Sequence, residues 1–187
     1  YLISTLDGGT FLGGAEYFQT TNILPNMGTY YDEIRTLPFT NRAGETMEFK
    51  RFTKFKGEEF DELIYTNFSM VSPYSCYVSD EIIGAEMLEE ITNTQVVQVV
   101  AVAPTEEEYE KYGFNNSAKL EFSLASGDAT YYIGAPSGAG SGVYYVMVEG
   151  FDTIYLCYGD ASFIDFSAME FRSSLAWIHD IRLAGQL

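Results

Sequence analysis

Cationic side chains are scarce in this sequence. Ten Lys and Arg stand against 27 Asp and Glu in 187 residues, for a formal net charge of -17. Nucleic-acid binding and docking on anionic lipid both need a cationic face, so we expect neither nucleic acid nor a membrane surface as a direct partner. The negative charge either keeps the protein soluble or attracts a cation or a basic partner. Solubility is the simpler interpretation, because the acidic residues are spread along the chain.

Metal-ligating side chains are equally few. His179 is the single histidine and Cys76 and Cys157 are the two cysteines, too few and too distant for a structural zinc site. No calcium-binding loop motif occurs, and the acids at 106–108 and 160–165 are typical of a helix N-terminus and a solvated turn. The sequence therefore predicts no metal site and no cofactor. The cysteines are either one disulfide or two free thiols, and burial as free thiols is the simpler interpretation.

A catalytic constellation is missing as well. His179 next to Asp180 could act as a general base, but no nucleophile motif accompanies it, and a structural role near a helix end is simpler. The glycine-rich segment Gly134–Gly142 lacks the lysine and spacing of a phosphate-binding loop and precedes a strand, so it is predicted to be a hairpin connection. With 27 acids, sequence alone cannot identify a hydrolytic carboxylate pair. We therefore predict no catalytic residue.

Long apolar runs are absent. The longest run, 96–103, has the length of a strand, and no window has the 18 or more apolar residues of a membrane span. The sequence does not begin with Met and shows no signal peptide, so we expect a trimmed or mature fragment.

Aromatic residues are abundant, with 15 Tyr and 14 Phe, and many alternate with polar residues as strands require. Exposed tyrosines could form a sugar- or peptide-binding platform, but sheet faces and core are the simpler interpretation. Strands are predicted at 46–52, 63–71, 75–78, 96–102, 119–124, 130–133, 143–148 and 153–157. The β-branched run at 96–102 is predicted to lie in the middle of the sheet.

Helix signals occur at three places. A helix is predicted from Ser79 or Asp80 to about Asn93, with an apolar face at Ile83, Met87, Leu88 and Ile91. Gly84 interrupts it, which close packing against a neighbour would explain. Thr105 and Glu108 form a capping box for a short helix that ends at Tyr112, with Gly113 as a left-handed cap. A third helical segment is predicted at 162–177, with a capping box at Ser167 and Glu170.

The segment from the strand at 96–102 through Cys157 resembles family 4340 of domains of unknown function (DUF4340). The resemblance rests on the step Tyr112-Gly113-Phe114, a turn at Ile133-Gly134, a Tyr-rich strand at 144–148 and a strand at 154–156. It covers about residues 69–183. The resemblance implies a bacterial, extracytoplasmic domain tethered by an N-terminal membrane helix, in some members next to ABC-transporter components. It implies no catalytic residues.

Pattern and resemblance together predict an α+β domain with antiparallel β-meanders and two or three short helices packed on the sheet. Residues 1–45 are expected to form N-terminal strands and loops, and residues 46–187 the DUF4340-like domain, unless 1–187 is one continuous domain. The first functional hypothesis is a non-enzymatic accessory or interaction domain of a bacterial envelope or transport assembly, with a protein partner. A small-ligand or glycan-binding domain is the second, and a hydrolase with an acid pair is the third. The oligomeric state stays open.

Overall fold

The computed structural model describes residues 34–51, 68–124, 127–138 and 142–173, whose strands form one nine-stranded sheet. The strands are β1 (Thr36–Thr40), β2 (Thr46–Arg51), β3 (Phe68–Ser72), β4 (Cys76–Tyr77), β5 (Gln95–Val102), β6 (Ala118–Leu124), β7 (Gly127–Pro136), β8 (Val143–Val148) and β9 (Thr153–Tyr158). Across the sheet they run β4-β3-β2-β1-β6-β7-β8-β9-β5, each antiparallel to its neighbours. The α+β prediction is confirmed in its coarse form, a mostly antiparallel sheet with few helices.

Strand β1 falls within the N-terminal strands and loops predicted for residues 1–45, but the sequence pattern assigned it no position of its own. It lies between β2 and β6 and contains Pro38, which cannot donate a hydrogen bond to a ladder. The pairing with β6 accordingly joins Thr36 to Ser123 and Phe39 to Leu120 and skips Pro38. Pro38 therefore makes this central strand difficult to recognise in the sequence, and it interrupts the pairing between β1 and β6.

The predicted first helix is present with an unexpected winding. A π-helix at Glu81–Glu89 continues into one α-helical turn at Glu90–Asn93, and we call the two together α1. The Ile82 amide donates to the Ser79 hydroxyl (3.4 Å), so Ser79 rather than Asp80 makes the side-chain cap. All four residues of the predicted apolar face are buried: Ile83, Met87, Leu88 and Ile91. The predicted amphipathic pattern is confirmed.

The main core lies between one face of the sheet and α1. Its largest fully buried side chains are phenylalanines of the strands and of the chain after β9: Phe39, Phe49, Phe68, Phe122, Phe163 and Phe171. Because α1 connects the edge strand β4 to the opposite edge strand β5, it passes over this face and covers it.

A second, smaller apolar cluster lies on the other side of the sheet. Helix α2 (Glu106–Lys111) begins with the predicted capping box, in which the Thr105 hydroxyl accepts from the Glu108 amide and the Glu108 carboxylate accepts from the Thr105 amide. After α2, Tyr112 packs with Ala101 and Ile154. Gly113 has φ of +80°, so the left-handed cap is confirmed as well.

The predicted turn at Ile133-Gly134 is wrong. Gly134 lies inside β7, where a Cβ atom would collide with the Tyr112 carbonyl oxygen. The Ala135 amide donates to that same oxygen (2.9 Å), which fastens the end of α2 to β7. The glycine is therefore required for close backbone approach rather than for a turn. Strands β7 and β8 pair with each other, as the predicted hairpin connection between them requires.

The helix predicted at 162–177 is absent from the described residues, which end at Ser173. A 3₁₀ turn at Ser162–Asp165 is followed by a turn in which the Glu170 carboxylate accepts from the Ser167 amide (2.7 Å). The capping interaction forms, but no helix follows it before the described residues end at Ser173. The chain instead pairs with β4, because the Ser79 amide donates to Phe171 O and the Ser173 amide donates to Tyr77 O, both at 2.9 Å. Tertiary pairing overrides the local helix signal.

Both cysteines are free thiols, Cys76 half-buried and Cys157 buried. They belong to β4 and β9, which lie near opposite ends of the sheet, so no disulfide joins them. Burial raises the pKa of Cys157 to about 12, and burial also raises the pKa of Cys76.

We predict that iodoacetamide modifies Cys76 slowly and leaves Cys157 unmodified in the native protein, because the thiolate is the reactive form. In denaturant both thiols should react. Peptide mass mapping reads the two sites separately. Rapid modification of Cys157 under native conditions would contradict the packing of β9.

Several sequence predictions lie outside the described residues. These are the strands and loops before residue 34, His179 with Asp180, and the last residues of the helical segment predicted to 177. The division into 1–45 and 46–187 stays a prediction, although β1 belongs to the same sheet as the strands that follow it.

Candidate interaction surface at the edge strand β5

Strand β5 forms one edge of the sheet, which corrects the prediction that it is central. Its sequence, QVVQVVAV, contains no charged residue and no proline. Val97 is 60% exposed and Val102 is 68% exposed. In the described part of the chain β5 pairs with β9 alone, so one row of its backbone N–H and C=O groups faces away from the sheet.

The opposite edge of the sheet, strand β4, is short and is covered by another segment of the chain. Strand β4 has two residues, and the segment Phe171–Ser173 lies along it through the two 2.9 Å hydrogen bonds described above and a bridge between Val78 and Arg172. Short length and a covering segment are two of the devices by which proteins prevent unwanted strand addition. The described chain therefore covers one edge and leaves the longer, apolar edge open.

Two irregularities shape β5. Its register against β9 shifts between Val96 and Gln98 and again between Val99 and Ala101, so that β5 carries one extra residue at each place. Such bulges increase the twist of a strand and redirect its side chains. They also disturb the regular spacing of the hydrogen-bonding groups, so the edge can pair only with a strand that matches this spacing.

An apolar patch continues beyond the end of β5. The Ala103 amide donates to Asp152 O (2.8 Å), which places the turn between β8 and β9 beside Val102. In that turn Phe151 is 61% exposed, and Gly150 takes the left-handed conformation with φ of +84°. Val102 and Phe151 are the most exposed large apolar residues at this corner of the domain.

Cations are segregated away from this end of the sheet. Residues 68–110 and 142–171, which include β5, β8, β9 and α1 as well as β3 and β4 at the other end of the sheet, contain nine and five acidic residues and no Lys, Arg or His. Four of the described cations lie on or beside β1 and β2: Arg35, Arg42, Lys50 and Arg51. Strand β2 is six strands from β5, roughly 30 Å away. That separation exceeds the Debye length of about 8 Å at physiological salt, so these cations leave the acidic end unneutralised.

The nearest helix reinforces this charge. Glu106 and Glu107 are exposed in the first turn of α2, directly after β5. Hydrogen bonds from the Thr105 amide and hydroxyl lower the pKa of Glu108, which keeps that carboxylate ionised. Lys111 lies over the Tyr112 ring, 4.8 Å from its centroid, and donates to the Tyr112 hydroxyl (3.3 Å), which raises the lysine pKa. Because Tyr112 packs with Ala101 of β5, Lys111 is a described cation near this end of the sheet, held against the Tyr112 ring.

The remaining candidate chemistry does not converge. Among the described tyrosines, Tyr74 (38% exposed) precedes β4 and Tyr158 (58% exposed) ends β9, near opposite edges of the sheet, so the two form no contiguous platform. A depression of about 180 Å³ beside Pro38 is lined by Glu121 and Asp128. Lys119 pairs with Glu121 (2.9 Å) and the Ser123 hydroxyl donates to Asp128 (3.0 Å), so both carboxylates have partners. Among the described residues no group of three His, Cys, Asp or Glu could hold a metal ion.

In the described part of the chain, the fold and this surface define a small α+β domain built on one antiparallel sheet with one open edge. The family model for the domain of unknown function DUF4340 matches residues 70–172, just over half of the 187-residue chain. The chain belongs to the DUF4340 family. No curated protein and no solved structure matches it. None of the helices in the described ranges is long and apolar enough to cross a membrane.

Proposed function

We propose that this domain is a non-enzymatic interaction module, an accessory domain held outside the membrane in a bacterial envelope or transport assembly, and that it binds a protein partner through β5. The observation that carries the proposal is the contrast between the two sheet edges. Within the described residues, a segment covers the two-residue strand β4, whereas the eight-residue strand β5 has an exposed edge. An open, uncharged edge is a known route for one protein to bind another, because main-chain hydrogen bonds supply affinity.

The exposed apolar side chains support the same surface. Val97, Val102 and Phe151 lose water-exposed apolar area if a partner covers β5, and such burial is the main favourable term in protein association. The membrane tether and the location outside the cytoplasm rest on the resemblance of the chain to its family.

Photo-crosslinking in cells of the natural source tests this proposal. A photoreactive amino acid is introduced at Val97 or Val102, with Met169 as the matched control. Met169 is 62% exposed and, through Tyr74, lies near β4 at the other end of the sheet. We expect a discrete protein adduct from positions 97 and 102 and none from position 169. Absence of an adduct from β5, or the same adduct from all three positions, would refute the assignment of the surface.

A further inference from the structure

We infer that the segment received by β5 is an extended strand in which apolar residues alternate with Lys or Arg. This inference rests on the proposed function and goes further by specifying the chemistry of the partner. Three features of the edge carry it: the direction of its backbone groups, its exposed apolar side chains and the acidic surface around it.

The backbone direction follows from one hydrogen bond. In an antiparallel pair, successive residues direct their N–H and C=O groups to opposite sides of the strand. The Ala103 amide donates to Asp152 O, towards the sheet, and Val102 forms a pair with Thr153. The N–H and C=O of Val102 therefore face the open side, where an added strand can accept and donate.

The apolar requirement follows from exposure. Val97 and Val102 are more than half exposed on a strand without charged residues, and Phe151 extends the patch beyond the strand end. Side chains of an added strand alternate between its two faces, so every second residue can contact such a patch while the others remain in solvent.

The cationic requirement follows from the charge map. Asp152, Glu106 and Glu107 lie beside the C-terminal end of β5. At its N-terminal end Gln95 pairs with Tyr158, and the Asp160 amide nearby donates to the Glu90 carboxylate (3.3 Å). Residues 68–110 and 142–171 hold fourteen acids and no cation, so Lys or Arg on the solvent-facing side of a bound strand meets mainly opposite charge, with Lys111 as the described cation nearby. Complementary charge steers association and excludes partners of the same sign.

A second copy of this chain fits the edge less well. Pairing β5 with β5 of another molecule would bring two acidic ends together in a protein of net charge -17. It would also require two strands with two bulges each to match along their length. Both features favour a different, basic occupant.

Peptide binding tests the inference directly. The probe is a fluorescent peptide of the length of β5 that alternates Val and Lys, and its anisotropy is measured with the full chain. Three control peptides separate the contributions: alternating Val and Glu, the Val–Lys composition arranged as two blocks, and the alternating Val–Lys peptide N-methylated at every second residue. We expect each control to bind about tenfold more weakly or worse, and we expect high salt to weaken the Val–Lys probe.

Two matched protein variants locate the binding. Val102→Lys places a cation on the edge and should weaken the probe by about tenfold or more, whereas Met169→Lys makes the same change of net charge at the other end of the sheet and should weaken it less than about twofold. Equal weakening by both variants, or equal binding of the alternating and block peptides, would mean non-specific attraction and would overturn the inference. If the crosslinked partner segment contained no Lys or Arg, the inference would be overturned while the proposed function stayed intact. If both crosslinking and peptide binding failed, the inference and the proposed function would both be refuted.

Discussion

Replacing Gly113 with alanine should lower the free energy of unfolding by about 3 kcal/mol or more, which makes it one of the most damaging small substitutions in the domain. Two costs add at this position. Gly113 has φ of +80°, which disfavours any residue with a Cβ atom. In addition, an added Cβ would lie 2.6 Å from Ala135 Cβ and 2.7 Å from the Ala135 amide nitrogen. The neighbouring atoms belong to the backbone and Cβ of β7 and cannot rotate away.

Two other glycines separate these costs. Gly44 has φ of +84° with no atom within 4 Å of an added Cβ, so Gly44→Ala measures the backbone cost alone, about 1 kcal/mol. Gly84 lies in α1 with ordinary φ and nothing within 4 Å, so close packing does not explain it, and Gly84→Ala should be neutral or stabilise by up to about 1 kcal/mol. Chemical denaturation of the three variants gives the comparison. A Gly113→Ala cost no larger than that of Gly44→Ala would contradict the packing of α2 against β7.

Phe171→Ala should destabilise the domain by about 3–5 kcal/mol. Phe171 is fully buried, and its ring centroid lies 5.0 Å from Phe49, 5.8 Å from Phe39 and 5.8 Å from Phe166. Truncation leaves a cavity among aromatic rings on the rigid sheet, which cannot collapse to fill it. It also loosens the segment that covers β4, since Phe171 O accepts from the Ser79 amide.

Met169→Ala is the matched control, because Met169 is only two residues away and 62% exposed. It should change stability by less than about 0.5 kcal/mol. Thermal or urea unfolding of both variants provides the measurement. A Phe171→Ala variant as stable as Met169→Ala would show that the segment after β9 does not belong to the core.

Local signals in the sequence were sufficient for much of the fold. The Thr105–Glu108 capping box, the Gly113 cap and the apolar face of α1 each depend on residues close together in the chain, and all three are present. Alternating patterns likewise placed most strands, because the pattern reflects which face of the sheet is buried.

Long-range pairing could not be predicted in the same way. A β-branched run such as 96–102 is compatible with a central strand and with an edge strand. The local sequence therefore could not predict where β5 lies in the sheet. Pro38 left β1 without a strand pattern that could be placed. The helix predicted from the Ser167 capping box is replaced by the pairing of Phe171–Ser173 with β4. These are places where tertiary contacts decide between local alternatives.

The candidate surface was partly visible in the sequence. Acidic residues are spread along the chain, and that spread favoured solubility over the attraction of a cation or a basic partner. The informative feature was the distribution of Lys, Arg and His, none of which occurs in residues 68–110 and 142–171. The fold brings these two stretches together at β5 and β9, so that a charge-free strand lies in an acidic surface.

Hydrogen–deuterium exchange of the isolated chain tests most directly whether β5 is an open edge. We expect rapid exchange of outward-facing amides in Gln95–Val102, including that of Val102, together with strong protection of the neighbouring β9 amides in Thr153–Tyr158. Addition of the alternating Val–Lys peptide should then slow exchange in β5 and leave β4 unchanged. Full protection of β5 in the free chain would mean that the edge is already covered, and the proposed interaction surface would have to be abandoned.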